Sequence, residues 1–255
     1  MAVPGRHRGD GLAVVVRLSR GTEVWGWVGA HAAGLGIPAS ARSVCQVAAV
    51  ELGVSEAWVN LAHGGSGTEP VCASGLLAHR LEELQVTVGE GPCVDALARG
   101  TAVLIGELAT VAAQRRWPLF APLAVDAGAR AIFALPMQLG AIQIGVLGLY
   151  RDQPGGLTAQ HLADALVLAE LGTRVLLDEQ AGLPVNGDPG GGPEPVVRAS
   201  VHQATGMISV QLGIGLDAAF SRLRARAFVE GQPLDELAAD VVSRLVRFYP
   251  EREAQ

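Results

Sequence analysis

The chain has 255 residues, of which 49% are hydrophobic, and a mean hydropathy of +0.32, ample material for one large core or two smaller ones. No apolar run reaches the ~18 residues of a membrane-spanning helix, and the opening MAVPGRHRGDG has no apolar stretch leading to a cleavage site, so neither a span nor a signal peptide is expected. A net charge of −6, with 19 basic residues that are all arginine, argues against a protein coated in nucleic-acid-binding charge, and three scattered cysteines without a CxxC pair read as reduced thiols of a cytoplasmic protein.

Residues 1–21 read as an N-terminal tail. TEVWGWVGAHAAGL (22–35) then sets Val24, Trp27, Val28, His31 and Ala32 near one face, which predicts a helix. Pro38 and Ser40 open a second helix through Glu51, with Val44, Val47, Ala48 and Leu52 inward. AWVNLA (57–62) and PVCAS (70–74) predict strands, and residues 76–84 a short helix. GEGPC (89–93) predicts a turn opening the short helix VDALARG, TAVLIGEL (101–108) a strand, and Ala109 to Ala121 a loop. ARAIFALPMQL and IQIGVLGLY meet at Gly140-Ala141, the Gly-X pair of a tight hairpin. LTAQHLADALVLAELGTRVLLDE (157–179) predicts a long amphipathic helix with Thr158 as N-cap. Its face of Leu162, Ala165, Leu166 and Ala169 is the best candidate for a homodimer contact. Strands in the middle and helices at both ends predict an α+β fold, an antiparallel sheet with flanking helices, over residues 22–181.

GLPVNGDPGGGPEP (182–195) holds four prolines and five glycines and predicts a linker. Beyond it, residues 196–249 predict a three-helix bundle. The first helix runs from Val196 to Leu212 and stops at Gly213, with Val201, Ala204, Ile208 and Leu212 inward. The second, LDAAFSRLRARAFVE, carries a stripe of Leu216, Ala219, Phe220, Leu223, Ala227 and Phe228 and ends at Gly231. The third begins at Pro233 and turns Leu234, Leu237, Ala238, Val241, Val242 and Leu245 inward.

The first part resembles the GAF domain. LQVTVGEGPCVDAL, AVLIGEL and the stretch FALPMQLGAIQIGVLGLYRDQPGGLTAQHLADALVLA carry that resemblance over roughly residues 22–180. It implies a sensor or dimerisation domain with a small-molecule pocket between sheet and helices, and Trp58, Cys72, Cys93, Arg115, Arg116, Trp117 and Phe133 are the candidate pocket residues. No nucleotide signature or haem axial pair stands out, so no cofactor is expected. Cys93, at a helix start where a thiolate is stabilised, is a candidate redox sensor. The cysteine spacing does not match the GAF proteins that reduce methionine sulfoxide, and the chain shows no convincing catalytic set, so no enzyme activity is expected.

The second part resembles the ANTAR domain, an RNA-binding module of bacterial antiterminators. Gln203-Ala204-x-Gly206, the Gly213-Ile214 turn, then Ala219, Leu223, Arg224 and Ala227, and finally Leu237 and Ala238 match in order. The resemblance implies that two modules bind paired hairpin loops of nascent mRNA. The order of the two domains is familiar from actinobacterial regulators. Arg222 and Arg226 share a helix face, as do Arg198 and His202, and guanidinium groups clamp phosphates and stack on bases. Gln203 and Thr205 can read base edges, and Arg224 lies closer to the packed stripe. Residues 196–248 hold six Arg against five Asp or Glu, a net +1, so a single copy is expected to bind weakly and two copies to gain by avidity. A DNA-reading third helix is disfavoured by Asp235, Glu236 and Asp240. The competing reading is a small-molecule or redox-sensing GAF protein whose helical tail only binds other proteins.

Overall fold

The structure is a computed structural model that describes residues 9–62, 68–180 and 196–249; the linker at 182–195 and the first residues of the tail lie outside the described residues. In chain order the elements are α1 (Gly9–Leu35), α2 (Ala41–Glu51), β1 (Glu56–Ala62), β2 (Thr68–Ala73), α3 (Leu76–Val88), α4 (Pro92–Arg99), β3 (Val103–Ile105), α5 (Val111–Arg116), α6 (Phe120–Asp126), β4 (Ala131–Leu139), β5 (Ile142–Arg151), α7 (Ala159–Gln180), α8 (Val196–Leu212), α9 (Leu216–Glu230) and α10 (Leu234–Val242). The fold is α+β: an antiparallel five-stranded sheet, order β2-β1-β5-β4-β3, with helices on both faces and a helical bundle after it.

The two-residue period of the strands sorts side chains into two layers. Ala57 and Val59 of β1, Phe133, Leu135 and Met137 of β4, and Leu147 and Leu149 of β5 enter one core, shared with α1, α2 and α7. Trp58, Ile132, Ala134, Val146 and Tyr150 enter the opposite core, covered by α3 to α6. Both faces are buried, which is why β4 and β5 read as nearly continuous apolar runs. Trp58 needs the centre of the sheet to be bare. It stands opposite Gly148 on β5, where a Cβ would collide with the indole. The β4–β5 turn places Leu139 against Ile142 across Gly140-Ala141, and Gly140 supplies the positive φ of 61° that a two-residue hairpin demands.

Helix ends are capped where the sequence supplies an oxygen. Ser40 accepts from the Ser43 amide at the start of α2, and Thr158 Oγ1 accepts from the His161 amide at α7. The stretch 109–121, expected as a loop, forms α5 and α6 instead. Thr110 caps the first, and Glu90 Oε1 accepts from the amides of Leu119 (2.6 Å) and Phe120 (2.9 Å) at the second. That cap reaches from a distant turn, so periodicity alone does not expose it. GEGPC is therefore a structural joint: Gly89 ends α3, Gly91 opens α4, and Glu90 caps α6.

Two further expectations are corrected. α1 begins at Gly9, so the tail is helical from there, and Arg20 clamps the buried Asp164 of α7 with Nε and Nη2, both at 2.6 Å. The α7 face expected to dimerise is occupied by the chain's own sheet: Ala165 and Ala169 are buried in the core and only Leu166 of that set is well exposed. Small side chains there serve close packing; a Cβ on Gly172 would press on the Met137 methyl at 2.9 Å and on Val44 at 3.4 Å.

Candidate nucleic-acid interface

The bundle of α8, α9 and α10 closes on Ala204, Ile208, Ala219, Leu223, Ala227, Leu234, Leu237, Ala238 and Val241. The inward stripe of α8 is the one its periodicity predicts. Two positions expected inside α9, Leu216 and Phe228, and Leu245 beyond α10, are exposed. Leu245 turns outward because α10 stops at Val242 and Arg244 adopts φ 61°; it is the one non-glycine residue with positive φ among the described residues. A left-handed residue costs an L-amino acid about 1–2 kcal/mol, and here it closes the helix as a glycine does. The chain then folds back, so that the Phe248 amide donates to Gln211 Oε1 of α8 (2.9 Å) and Arg226 lies over the Phe248 ring at 5.1 Å.

This return creates an open groove along α8, lined by Gln203, Gly206, Met207, Val210, Gln211, Arg244 and Arg247. Residues 203, 206, 207 and 210 recur at helical spacing on one face. Gln203, Val210, Arg244 and Arg247 are exposed, Val210 at 85%. Nothing lies within 4 Å of where a Cβ on Gly206 would sit. A mid-helix glycine costs roughly 1 kcal/mol against alanine, and no neighbour among the described residues requires one here. Two acidic groups of the bundle are engaged elsewhere: Glu230 with Arg226 and Asp240 with Gln232. The +1 bundle therefore concentrates two guanidiniums, two amides and an apolar floor in one groove.

The predicted contact residues separate. Gln203 lines the groove. Thr205 is buried and donates to the Val201 carbonyl (2.7 Å), so it is spent within its own helix rather than on base edges. Arg222 is exposed on α9. Arg226 pairs with Glu230 (2.8 Å) and donates to the Arg247 carbonyl, bracing the returning chain. The side chains of Arg198 and His202 lie outside the described residues. Arg244, Arg247 and Gln211 were not among the sequence candidates. Two arginines three apart just past the last helix were the available signal; the reversal at Arg244 that aims them at α8 was not.

Arg224 does something different. Its Nη1 donates to the Val86 carbonyl at the end of α3 (3.0 Å), its guanidinium lies 5.1 Å over Phe220, and burial lowers its pKa from the ordinary value. Glu83 of α3 accepts from the Leu234 amide at the first turn of α10 (2.6 Å). A cation thus sits at a helix C-terminus and an anion at a helix N-terminus, the favourable end of each macrodipole. Val86 joins the bundle core. The bundle is docked on the sheet domain through two reciprocal helix caps.

In the sheet domain the candidate pocket residues divide between the two cores. Phe133 and Cys72 lie on the α1/α2/α7 side, while Trp58, Cys93 and Trp117 lie on the other. They do not converge on one cavity. Arg116 is held by Asp95 (Nε to Oδ2, 2.7 Å) and lies over Trp117, and Arg115 is exposed. Cys93 sits buried at the start of α4, and burial pushes its thiol up to about 12. Among the described residues no helix is long and apolar enough to cross a membrane.

The GAF domain family profile matches residues 35–176 and the ANTAR domain profile residues 196–242. No curated protein matches the chain. Among solved structures, the GAF domain of a phosphoenolpyruvate-protein phosphotransferase from Coxiella burnetii is similar at 13% identity and a TM-score of 0.49, covering 65% of this chain and 95% of that one. The corresponding Acinetobacter domain gives 13% identity, a TM-score of 0.46 and coverage of 66% and 96%. A free methionine-R-sulfoxide reductase from Neisseria meningitidis, in complex with its substrate, gives 16% identity, a TM-score of 0.43 and coverage of 71% and 99%. With more than half its length matched, this chain belongs to the GAF domain family, and it joins that sensory domain to the ANTAR domain of RNA-binding antitermination regulators.

Proposed function

We propose that the protein is a cytoplasmic antitermination regulator whose ANTAR groove binds hairpin loops of nascent mRNA and whose GAF domain controls access to that state. The α8 groove supports this reading: Gln203 offers its amide to base edges and Gln211 its amide nitrogen, Arg244 and Arg247 offer guanidiniums to phosphates, and Gly206 leaves room for a base. One +1 module is a weak ligand for RNA, so two copies on an RNA with two loops gain through effective concentration. In this reading the chain has no catalytic step of its own. A gel shift of the full chain is expected to favour RNA with two paired hairpins over the same RNA with scrambled loops. Equal binding of both, at low and moderate salt, would remove the antiterminator reading and leave a protein-interaction module.

Control by the GAF domain is supported by the caps across the domain junction. Glu83→Ala removes the acceptor at the α10 N-terminus, a loss of about 1 kcal/mol for such a cap. Amides of α9 and of residues 85–88 are then expected to exchange several-fold faster with solvent, with those of β4 and β5 unchanged. Unchanged exchange in α9 would show that the junction does not depend on this cap.

A further inference from the structure

We propose that Cys45 and Cys72 are a redox-active dithiol that closes to an intramolecular disulfide on reaction with a low-molecular-weight disulfide. The two residues are 27 apart in sequence, yet α2 and β2 bring their Sγ atoms to 2.8 Å. Both are free thiols here, and a disulfide bond is ~2.05 Å long, so closure asks for a shift of less than about 1 Å.

The two sulfurs are unequal. Cys45 is fully buried, whereas Cys72 is half-buried on the edge strand of the sheet. A small disulfide from solvent reaches the half-buried Cys72 and not the enclosed Cys45, whose thiol burial and the neighbouring Cys72 sulfur push up. The first attack therefore falls to Cys72. Its thiolate attacks one sulfur of the small disulfide; that S–S bond breaks and one small thiolate leaves and takes up a proton. Cys45 then loses its proton and attacks the Cys72 sulfur of the mixed disulfide, expelling the second small thiol. Both protein thiols are oxidised, one small disulfide is reduced to two thiols, and no other reactant is consumed. Cys93 lies in the opposite core and takes no part.

Closure staples the edge strand to α2. Thr68, at the other end of that strand, lines the domain junction with Phe220 and Arg224, and α3 follows the strand at Leu76. The bond thus fixes the strand that leads into α3, the helix on which the ANTAR bundle is seated. This inference goes beyond the RNA reading and does not rest on it.

The test uses the full chain, reduced, freed of reductant and incubated with excess oxidised glutathione. It is then unfolded, alkylated with iodoacetamide and mapped by peptide mass. The expected result is a Cys45–Cys72 cross-linked peptide with Cys93 alkylated. Glutathione retained on Cys72 beside an alkylated Cys45, or three alkylated cysteines, would overturn the proposal. Cys45→Ala is expected to stop at a stable glutathione adduct on Cys72, and its absence in a folded variant overturns the order of attack. Should that core variant fail to fold, Cys72→Ser decides, since its site is half-buried at a sheet edge. It is expected to take up no glutathione, and an adduct on Cys45 would overturn the assignment.

Discussion

A chain carrying Arg244→Gly and Arg247→Gln is expected to bind two-loop hairpin RNA roughly 30-fold more weakly at 0.15 M salt, the worth of two phosphate contacts at about 1 kcal/mol each. The slope of log affinity against log salt should flatten by about 1.4, since each phosphate contact on single-stranded RNA contributes ~0.7. The choice of glycine separates binding from folding. At φ 61° the native arginine is strained, so glycine relieves the left-handed penalty of about 1–2 kcal/mol rather than adding to it. Thermal melting of the variant should therefore not fall while RNA affinity does. Gly206→Ala sharpens the same test: it should strengthen α8 by up to about 1 kcal/mol while filling the groove. Titration of the variants by fluorescence anisotropy at several salt concentrations reads both quantities. An unchanged affinity and an unchanged slope would move the RNA surface away from α8.

Gly148→Val is expected to destabilise the GAF domain by about 3 kcal/mol or more, at or beyond the upper end of ordinary overpacking. Elsewhere in a strand, valine is the favoured residue, by up to roughly 1 kcal/mol. The sign therefore depends on the indole of Trp58, which fills the space over Gly148 and is itself fully buried. Urea unfolding followed by tryptophan fluorescence checks the loss. A second variant, Trp58→Leu in the Gly148→Val background, should recover part of it, because the two residues share one volume and their effects are not additive. A Gly148→Val chain as stable as the native one would mean that Trp58 has another place to go.

Much of the candidate RNA surface was hidden by its smallness in sequence. Gln203 and Gly206 stand in a Gln-Ala-x-Gly pattern and are legible as unusual residues in a core helix. Thr205, next to them, looks equally available but bonds to its own backbone at Val201. Arg226 looks like a partner of Arg222 on one face yet braces the chain end, and Arg224, nearer the packed stripe, caps a helix of the other domain. A side chain's partner across 138 residues leaves no trace in local spacing.

Periodicity and turn chemistry by themselves determined the antiparallel hairpin at Gly140-Ala141, the caps at Ser40 and Thr158, and the buried stripe of α8. These are local properties: an alternation of apolar residues, a glycine where φ must be positive, a hydroxyl at a helix start. Tertiary structure alone decided the rest. It cut the third helix short at Val242 and turned two arginines onto α8, split the supposed pocket between two cores, and buried the face of α7 that looked ready to dimerise. It also brought Cys45 and Cys72 together, because a sheet edge and a helix must share one packed layer, and which residues meet in that layer is set by the register of strands far apart in the chain.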